Sequence, residues 1–305
     1  MSNEIELPES VGMSSQRLNR IGVAMQRYID NGTVRGISTM VMRRGKVVHA
    51  EQFGHRDAEA GLEITPDTIF RIYSMTKPIV STALMLLHET TDFRLQDPVA
   101  TYLPAFGATQ VLGADGSLAP QARPMEIRDL LTHTSGLTYD FMEDTPVGQL
   151  YRDARIMNDA TRTLEEVIDA LAKIPLSSQP GSRWHYSLGI DVAARLIEVL
   201  SGQPLGDFLA ERIFGPLGMT DTDFHVSEEK ASRFAQVYGY DDNGELLAGE
   251  GFPGANFLRD PAFESGGGGL VSTAMDYMRF SKMLLNGGEL EGVRILAPLT
   301  VELMH

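Results

Sequence analysis

The chain contains no cysteine, so disulfides, thiolate metal sites and a cysteine nucleophile are all excluded. Basic charge is also scarce. Twenty-six Lys and Arg face 41 Asp and Glu, for a net charge of -15, and five of the basic residues are lysines. Nucleic-acid binding is driven by Lys and Arg neutralising phosphates, so this balance argues against a polyanion partner. No apolar run approaches the roughly 18 residues of a membrane span. The start, Met1-Ser2-Asn3-Glu4-Ile5-Glu6, is acidic and lacks the apolar centre of a secretory signal. The expectation is a cytoplasmic, soluble protein with neither membrane nor nucleic acid as partner; the sequence leaves its oligomeric state open. His-Glu-x-x-His and Gly-x-x-x-x-Gly-Lys are both missing, so neither a zinc site nor a phosphate loop is expected, and no cofactor. The absence of Gly-x-Ser-x-Gly counts against an α/β-hydrolase.

What is present is an ordinary globular composition, 43% hydrophobic and 22% charged over 305 residues. That length can bury a substantial core, as one large domain or two intimately packed ones. Leu18, Ile21, Met25 and Ile29 fall at helical spacing between Ser14 and Asn31, with Gly32 as a stop. Ile37 to Met42 and Lys46 to Phe53 flank Arg43-Arg44-Gly45 and read as a hairpin. From Arg94 to about Thr222 the pattern is helices and long connections. Thr163-x-x-Glu166 is a capping box, a helix spans Ile190 to Leu200, and a shorter one from Leu205 is predicted to end before Gly215-Pro216. Strand signals return with Phe234 to Tyr240 and Leu246 to Leu247 around Asp241-Asp242-Asn243-Gly244. A helix is then expected from Ala274 to Leu285. The organisation expected is a discontinuous α/β part, 1–93 and 232–305, with a mostly helical part, 94–231, and a cleft between them.

One stretch, Arg71-Ile72-Tyr73-Ser74-Met75-Thr76-Lys77-Pro78, stands at the head of an apolar run. Residues three apart on a helix share a face, so Ser74 and Lys77 can point into the same space. A serine hydroxyl needs a neighbouring base to become a nucleophile. A lysine serves once burial lowers its pKa from about 10.4 toward about 7–8. The same spacing recurs at Ser227-Glu228-Glu229-Lys230, among acids and without an apolar run, where a solvated helix start is the better reading. Tyr186, in Trp184-His185-Tyr186-Ser187-Leu188, is the candidate for passing the proton onward; by position alone a half-buried aromatic with its hydroxyl at the surface is the better reading. His133 in Thr132-His133-Thr134-Ser135-Gly136 reads as a hydrogen-bonded scaffold, and His185 as an exposed flank. Gly266 to Gly269 reads as a tight turn, and Met40, Met42, Met75, Met85 and Met283 as core filler.

Ser74-Met75-Thr76-Lys77 followed by Tyr186-Ser187-Leu188 resembles the first two motifs of family VIII carboxylesterases. These belong to the serine hydrolase superfamily of class C β-lactamases and D-alanyl-D-alanine carboxypeptidases. Asp97-Pro98-Val99, Tyr102-Leu103-Pro104, Leu130 to Leu137, Phe214 to Met219 and Gly267 to Thr273 are similar to further segments of it, in the expected order. The resemblance implies a β-lactamase-like α/β fold: an antiparallel sheet flanked by helices, plus an all-helical subdomain. It also implies a serine hydrolase acting on small carboxylic esters through an acyl-enzyme. Ser74 would be the nucleophile, Lys77 its base or relay, and Tyr186 the proton donor to the leaving group. A β-lactamase or D-alanyl-D-alanine peptidase, or a non-catalytic relative, is the alternative. Leu188 replaces the asparagine that β-lactamases carry in Tyr-x-Asn, which points toward esters. The family's third motif, Lys-Thr-Gly, His-x-Gly or Trp-x-Gly, does not occur. The chain stops at His305, where the resemblance implies more strands and a helix, so the sheet is expected to be incomplete.

Overall fold

The computed structural model describes residues 5–142, 145–157, 161–249, 251 and 256–305. Helix α1 (Ser15–Asp30) is capped by the Ser14 side chain, which accepts from the Arg17 amide. It lies against the hairpin of β1 (Gly36–Arg43) and β2 (Lys46–Asp57). The two strands pair antiparallel from Gly36↔Gly54 to Arg43↔Lys46, with a bulge at Val41/Met42. Arg44 and Gly45 both have positive φ, the backbone that a two-residue hairpin turn requires. A short β3 (Leu62–Glu63) adds to β2, giving the order β1-β2-β3. Leu18 from α1 packs with Val11 and Val48 in a small core under this sheet.

The main core lies elsewhere. Strand β4 (Phe70–Arg71) leads through a single 3-10 turn, Tyr73–Met75, into α2 (Thr76–Thr90). Ile79, Val80, Ala83 and Leu84 of α2 are wholly buried, and ten of its 15 residues are buried. A helix that is apolar nearly all round belongs in a core, and about 1.5–3 kcal/mol per buried Leu or Ile side chain holds it there.

A small hairpin, β5 (Val111–Leu112) with β6 (Leu118–Ala119), precedes the helical stretch. That stretch comprises α3 (Ile127–Leu131), α4 (Pro146–Asp153), α5 (Leu164–Leu171), α6 (Gly189–Ser201) and α7 (Leu205–Leu209). The Thr163/Glu166 capping box is formed as predicted. Helices α2 and α6 pack side by side. Gly189 permits the close approach of α6 to α3, because a Cβ there would sit 2.7 Å from the Leu130 carbonyl oxygen.

One boundary differs from expectation. The helix from Leu205 does not end before Gly215-Pro216: a π turn, Ala210–Phe214, carries it into α8 (Gly215–Leu217). The wider turn restarts the hydrogen-bond ladder, so Pro216 falls in a first turn, where its missing N–H costs nothing. Beyond it, β7 (Val237–Tyr240) pairs with β8 (Leu246–Gly249) as the predicted hairpin. β9 (Val271–Ser272) then precedes α9 (Ala274–Leu285), whose cap Thr273 accepts from the Asp276 amide. Among the described residues no helix is long and apolar enough to cross a membrane.

One short pairing positions everything that follows. β4 and β9 lie antiparallel, Phe70↔Ser272 and Arg71↔Val271. The Ile72 amide donates to Leu270 O at 3.0 Å, and the Leu270 amide donates to Thr76 Oγ1 at 3.1 Å. The glycine-rich segment is thereby tied to the turn that carries Ser74.

Candidate active site

Ser74 occupies the 3-10 turn between β4 and α2. Its predecessor, Tyr73, has φ +42°. For a bulky residue this is a strained conformation, costing on the order of 1–3 kcal/mol. It turns the chain sharply, so that Ser74 leads into the helix instead of being covered by it. The Tyr277 hydroxyl of α9 donates to Met75 O at 3.1 Å and braces the turn. Met75 is 46% exposed. That corrects its reading as core filler: with Thr76 and Lys77 turned inward at the head of α2, the side chain between Ser74 and them has to face out.

Lys77 lies in the first turn of α2 and is only 8% exposed. Its Nζ donates to Ser74 Oγ at 3.2 Å and to Gly267 O at 2.6 Å. Among the described residues no carboxylate oxygen lies within 4.0 Å of it. An amine buried beside a carbonyl and two aromatic faces, Tyr186 at 4.5 Å and Tyr139 at 5.5 Å, is held without a neutralising partner.

Tyr186 comes from the loop ahead of α6, and its hydroxyl donates to Ser74 Oγ at 2.6 Å. The structure thus brings together all three residues selected from the sequence, with Ser74 Oγ receiving both Lys77 and Tyr186. The Tyr186 loop runs beside residues 133–138. The His185 amide donates to His133 O at 2.8 Å, the Ser187 amide to His133 Nδ1 at 3.3 Å, and the Leu188 amide to Thr138 O at 3.4 Å.

His133 therefore acts as a scaffold, as expected, but its ring also packs on Tyr186 with centroids 4.8 Å apart. Burial above all, then the Lys77 charge and His185, push its pKa down to about 4. It is neutral at pH 7, and because Nδ1 accepts from the Ser187 amide, Nε2 carries the proton. His185 is not the exposed flank expected: it is buried, with Nε2 2.8 Å from Thr138 Oγ1. Along this loop Trp184 is exposed, His185 buried and Tyr186 half-buried. Leu188 is fully buried and presents no polar group to the site.

Sequence reasoning missed Asp191. It is wholly buried in the first turn of α6, and its Oδ1 accepts from Ser265 Oγ at 2.6 Å and from the Gly267 amide at 3.0 Å. Its other oxygen, Oδ2, has no hydrogen-bond partner among the described residues. Burial raises its pKa, opposed by the Ser265 and Gly267 hydrogen bonds and by Lys77. Gly267 is thus fixed through its N–H by Asp191, while its C=O holds Lys77. No side chain fits there, since a Cβ would come within 2.4 Å of Asp191 Oδ2. The glycine run does form the expected turn, with the Gly269 amide on Ser265 O at 2.9 Å. The signal available in the sequence was an acid, Asp191, inside the otherwise apolar stretch Leu188 to Ala194.

A Beta-lactamase family model matches residues 24–305. The chain belongs to the beta-lactamase family. Its architecture is the β-lactamase-like fold, with helices flanking short antiparallel sheets. The solved structure of EstCE1, a hydrolase with promiscuous acyltransferase activity, superposes with a TM-score of 0.80 at 30% identity, over 94% of this chain and 76% of that one. Among family members of known sequence, Protein Rv1367c of Mycobacterium tuberculosis is 39% identical over 92% of this chain and 70% of its own length. Esterase EstB of Burkholderia gladioli is 35% identical over 80% of this chain and 64% of its own length. The beta-lactamase-family chain is therefore a hydrolase-family protein with esterase homologues.

Proposed function

We propose that the protein is a carboxylesterase of the family VIII type, cleaving small carboxylic esters through an acyl-enzyme on Ser74. The observation that carries this reading is the convergence of two proton-handling groups, Lys77 Nζ and the Tyr186 hydroxyl, on Ser74 Oγ. Ser74 Oγ attacks the ester carbonyl as its proton passes to Lys77 or to the Tyr186 oxygen. The tetrahedral oxyanion forms beside the head of α2, where the Ser74 N–H and the positive end of the helix dipole favour negative charge. Collapse expels the alkoxide, which takes its proton from the Tyr186 hydroxyl. Water, deprotonated by the same pair, then hydrolyses the acyl-enzyme and returns Ser74.

A lactam or peptide substrate is the second reading, supported by penicillin-binding relatives at 27–29% identity. Leu188 tells against it: the position that carries an amide in Tyr-x-Asn is filled by a wholly buried apolar side chain. The experiment follows p-nitrophenyl butyrate and nitrocefin turnover by the 305-residue chain and its Ser74→Ala variant. Multiple turnovers of the ester, at least about 10³-fold lower in Ser74→Ala, are expected, with nitrocefin slow. Ester turnover that survives Ser74→Ala, or its absence from folded wild-type chain, would overturn the reading.

A further inference from the structure

Five aromatic rings form a continuous path through the site. Phe141 stacks on Tyr139 at 4.7 Å, Tyr139 meets Tyr186 at 5.4 Å, Tyr186 meets His133 at 4.8 Å, and His133 meets Trp184 edge-on at 6.3 Å. All four spacings lie in the range over which aromatic rings attract one another. The middle ring carries the hydroxyl bonded to Ser74 Oγ; Phe141 is 54% exposed and Trp184 66%. A single exposed aromatic needs no explanation. One joined by unbroken ring contact to the tyrosine that bonds Ser74 Oγ belongs to the surroundings of that serine.

The two arms are not equivalent. Toward Phe141 the path crosses Tyr139, which is buried at 3% exposure and has Lys77 Nζ 5.5 Å from its ring centre, so that arm is closed to a ligand. Toward Trp184 it crosses only the half-buried His133. With Nδ1 occupied by the Ser187 amide, this imidazole is a neutral ring at pH 7 and bears no charge to repel an apolar group.

We infer that the His133–Trp184 arm is a subsite for the alcohol part of the substrate, and that it selects neutral esters whose alcohol is a flat, apolar ring. The assignment to the alcohol side rests on the proposed role of Tyr186 as proton donor to the leaving group. Stacking on the arm sets the ring of the departing alcohol next to the Tyr186 hydroxyl. Esters of short linear alcohols reach Ser74 without using it.

Trp184 is the single tryptophan of the chain, so the ¹⁵N-labelled protein shows one indole N–H resonance, a reporter on the subsite itself. Labelled Ser74→Ala protein is titrated with 2-naphthyl acetate and, separately, with ethyl acetate. The indole resonance should shift saturably with the naphthyl ester, with a midpoint about tenfold lower than for ethyl acetate. In the Ser74-intact chain, Trp184→Ala should narrow the kcat/KM ratio of naphthyl over ethyl ester by about five- to tenfold, while Phe141→Ala leaves it unchanged. An unmoved indole resonance, equal midpoints, or an equal effect of Phe141→Ala would overturn the subsite. Loss of all Ser74-dependent turnover would sink the esterase reading instead, and the indole titration would still decide the subsite.

Discussion

The protein contains two Ser-x-x-Lys sequences, and the fold treats them in opposite ways. Ser74 and Lys77 stand at the head of a buried helix, with Lys77 8% exposed and bonded to Ser74 Oγ and Gly267 O. Ser227 precedes a surface 3-10 turn, Glu228–Arg233, and Lys230 reaches away from it to Thr220 O and to Asp221 at 3.0 Å. Asp221 also takes both guanidinium nitrogens of Arg233. Lys230 thus sits in a solvated charge network, where an ammonium is at ease. Lys77 has been stripped of water and given a carbonyl and two ring faces in return. Spacing puts a serine and a lysine within reach of each other; burial and the absence of a carboxylate partner among the described residues are what set the first pair apart.

Removing each lysine should separate the two sites most sharply. Lys77→Met is expected to lower kcat/KM for p-nitrophenyl butyrate by about 10²–10⁴-fold, the range for a lost general base. Lys230→Met should leave it unchanged, with a stability loss below about 1 kcal/mol in urea unfolding, as for a partly exposed ion pair. Equal effects on activity would remove the distinction.

A smaller effect is expected from the carbonyl that holds Lys77. Gly267→Ala places a Cβ 2.4 Å from Asp191 Oδ2 and must shift the Gly267 peptide. Misplacement of about 1 Å costs up to about 10²-fold, so kcat should fall by about 10–10²-fold. Gly239→Ala, where a Cβ meets no atom of the described residues within 4 Å, should leave the rate unchanged.

The smallest effect is electrostatic. His133 is held at a pKa of about 4, first by burial and then by the Lys77 charge. Lys77→Met should move the His133 pKa upward, toward the ordinary value near 6.5, and Lys230→Met should not; an NMR titration of the ring measures both. The sign for stability follows. The folded state binds the His133 proton only near pH 4, whereas the unfolded chain binds it from about pH 6.5. Unfolding therefore takes up a proton between these values. The stability that neutral His133 lends is complete above pH 6.5 and falls as pH drops toward 4. His133→Asn should flatten that part of the Tm–pH curve.

Much of this was legible in the sequence because it is local. The hairpin at Arg44-Gly45, the Thr163 capping box and the hairpin around Asp241 to Gly244 are each settled within a few residues by backbone preference and short-range hydrogen bonds. Ser74 and Lys77 belong to the same class, being one helical turn apart. The errors have a common origin. His185 buried, Met75 exposed and Pro216 inside a continuing helix all depend on what the neighbouring segment covers, which periodicity does not encode. Asp191 was missed because an acid among the apolar residues of a helix's first turn gives no hint of its partners, Ser265 and Gly267, more than 70 residues away in the chain.

The sequence by itself determined the elements and the chemical candidates: a serine, a lysine and a tyrosine, with the apolar context that singles out one Ser-x-x-Lys over the other. Tertiary structure alone decided that they meet. A two-residue strand pair, β4 with β9, docks the glycine turn against the Ser74 turn, and the packing of α6 on α2 and α3 carries Tyr186 to within 2.6 Å of Ser74 Oγ. The physical reason is that burial and long-range hydrogen bonding are properties of surfaces brought together. Lys77 becomes a buried amine, and Asp191 its indirect support, only once segments nearly 200 residues apart have closed over them.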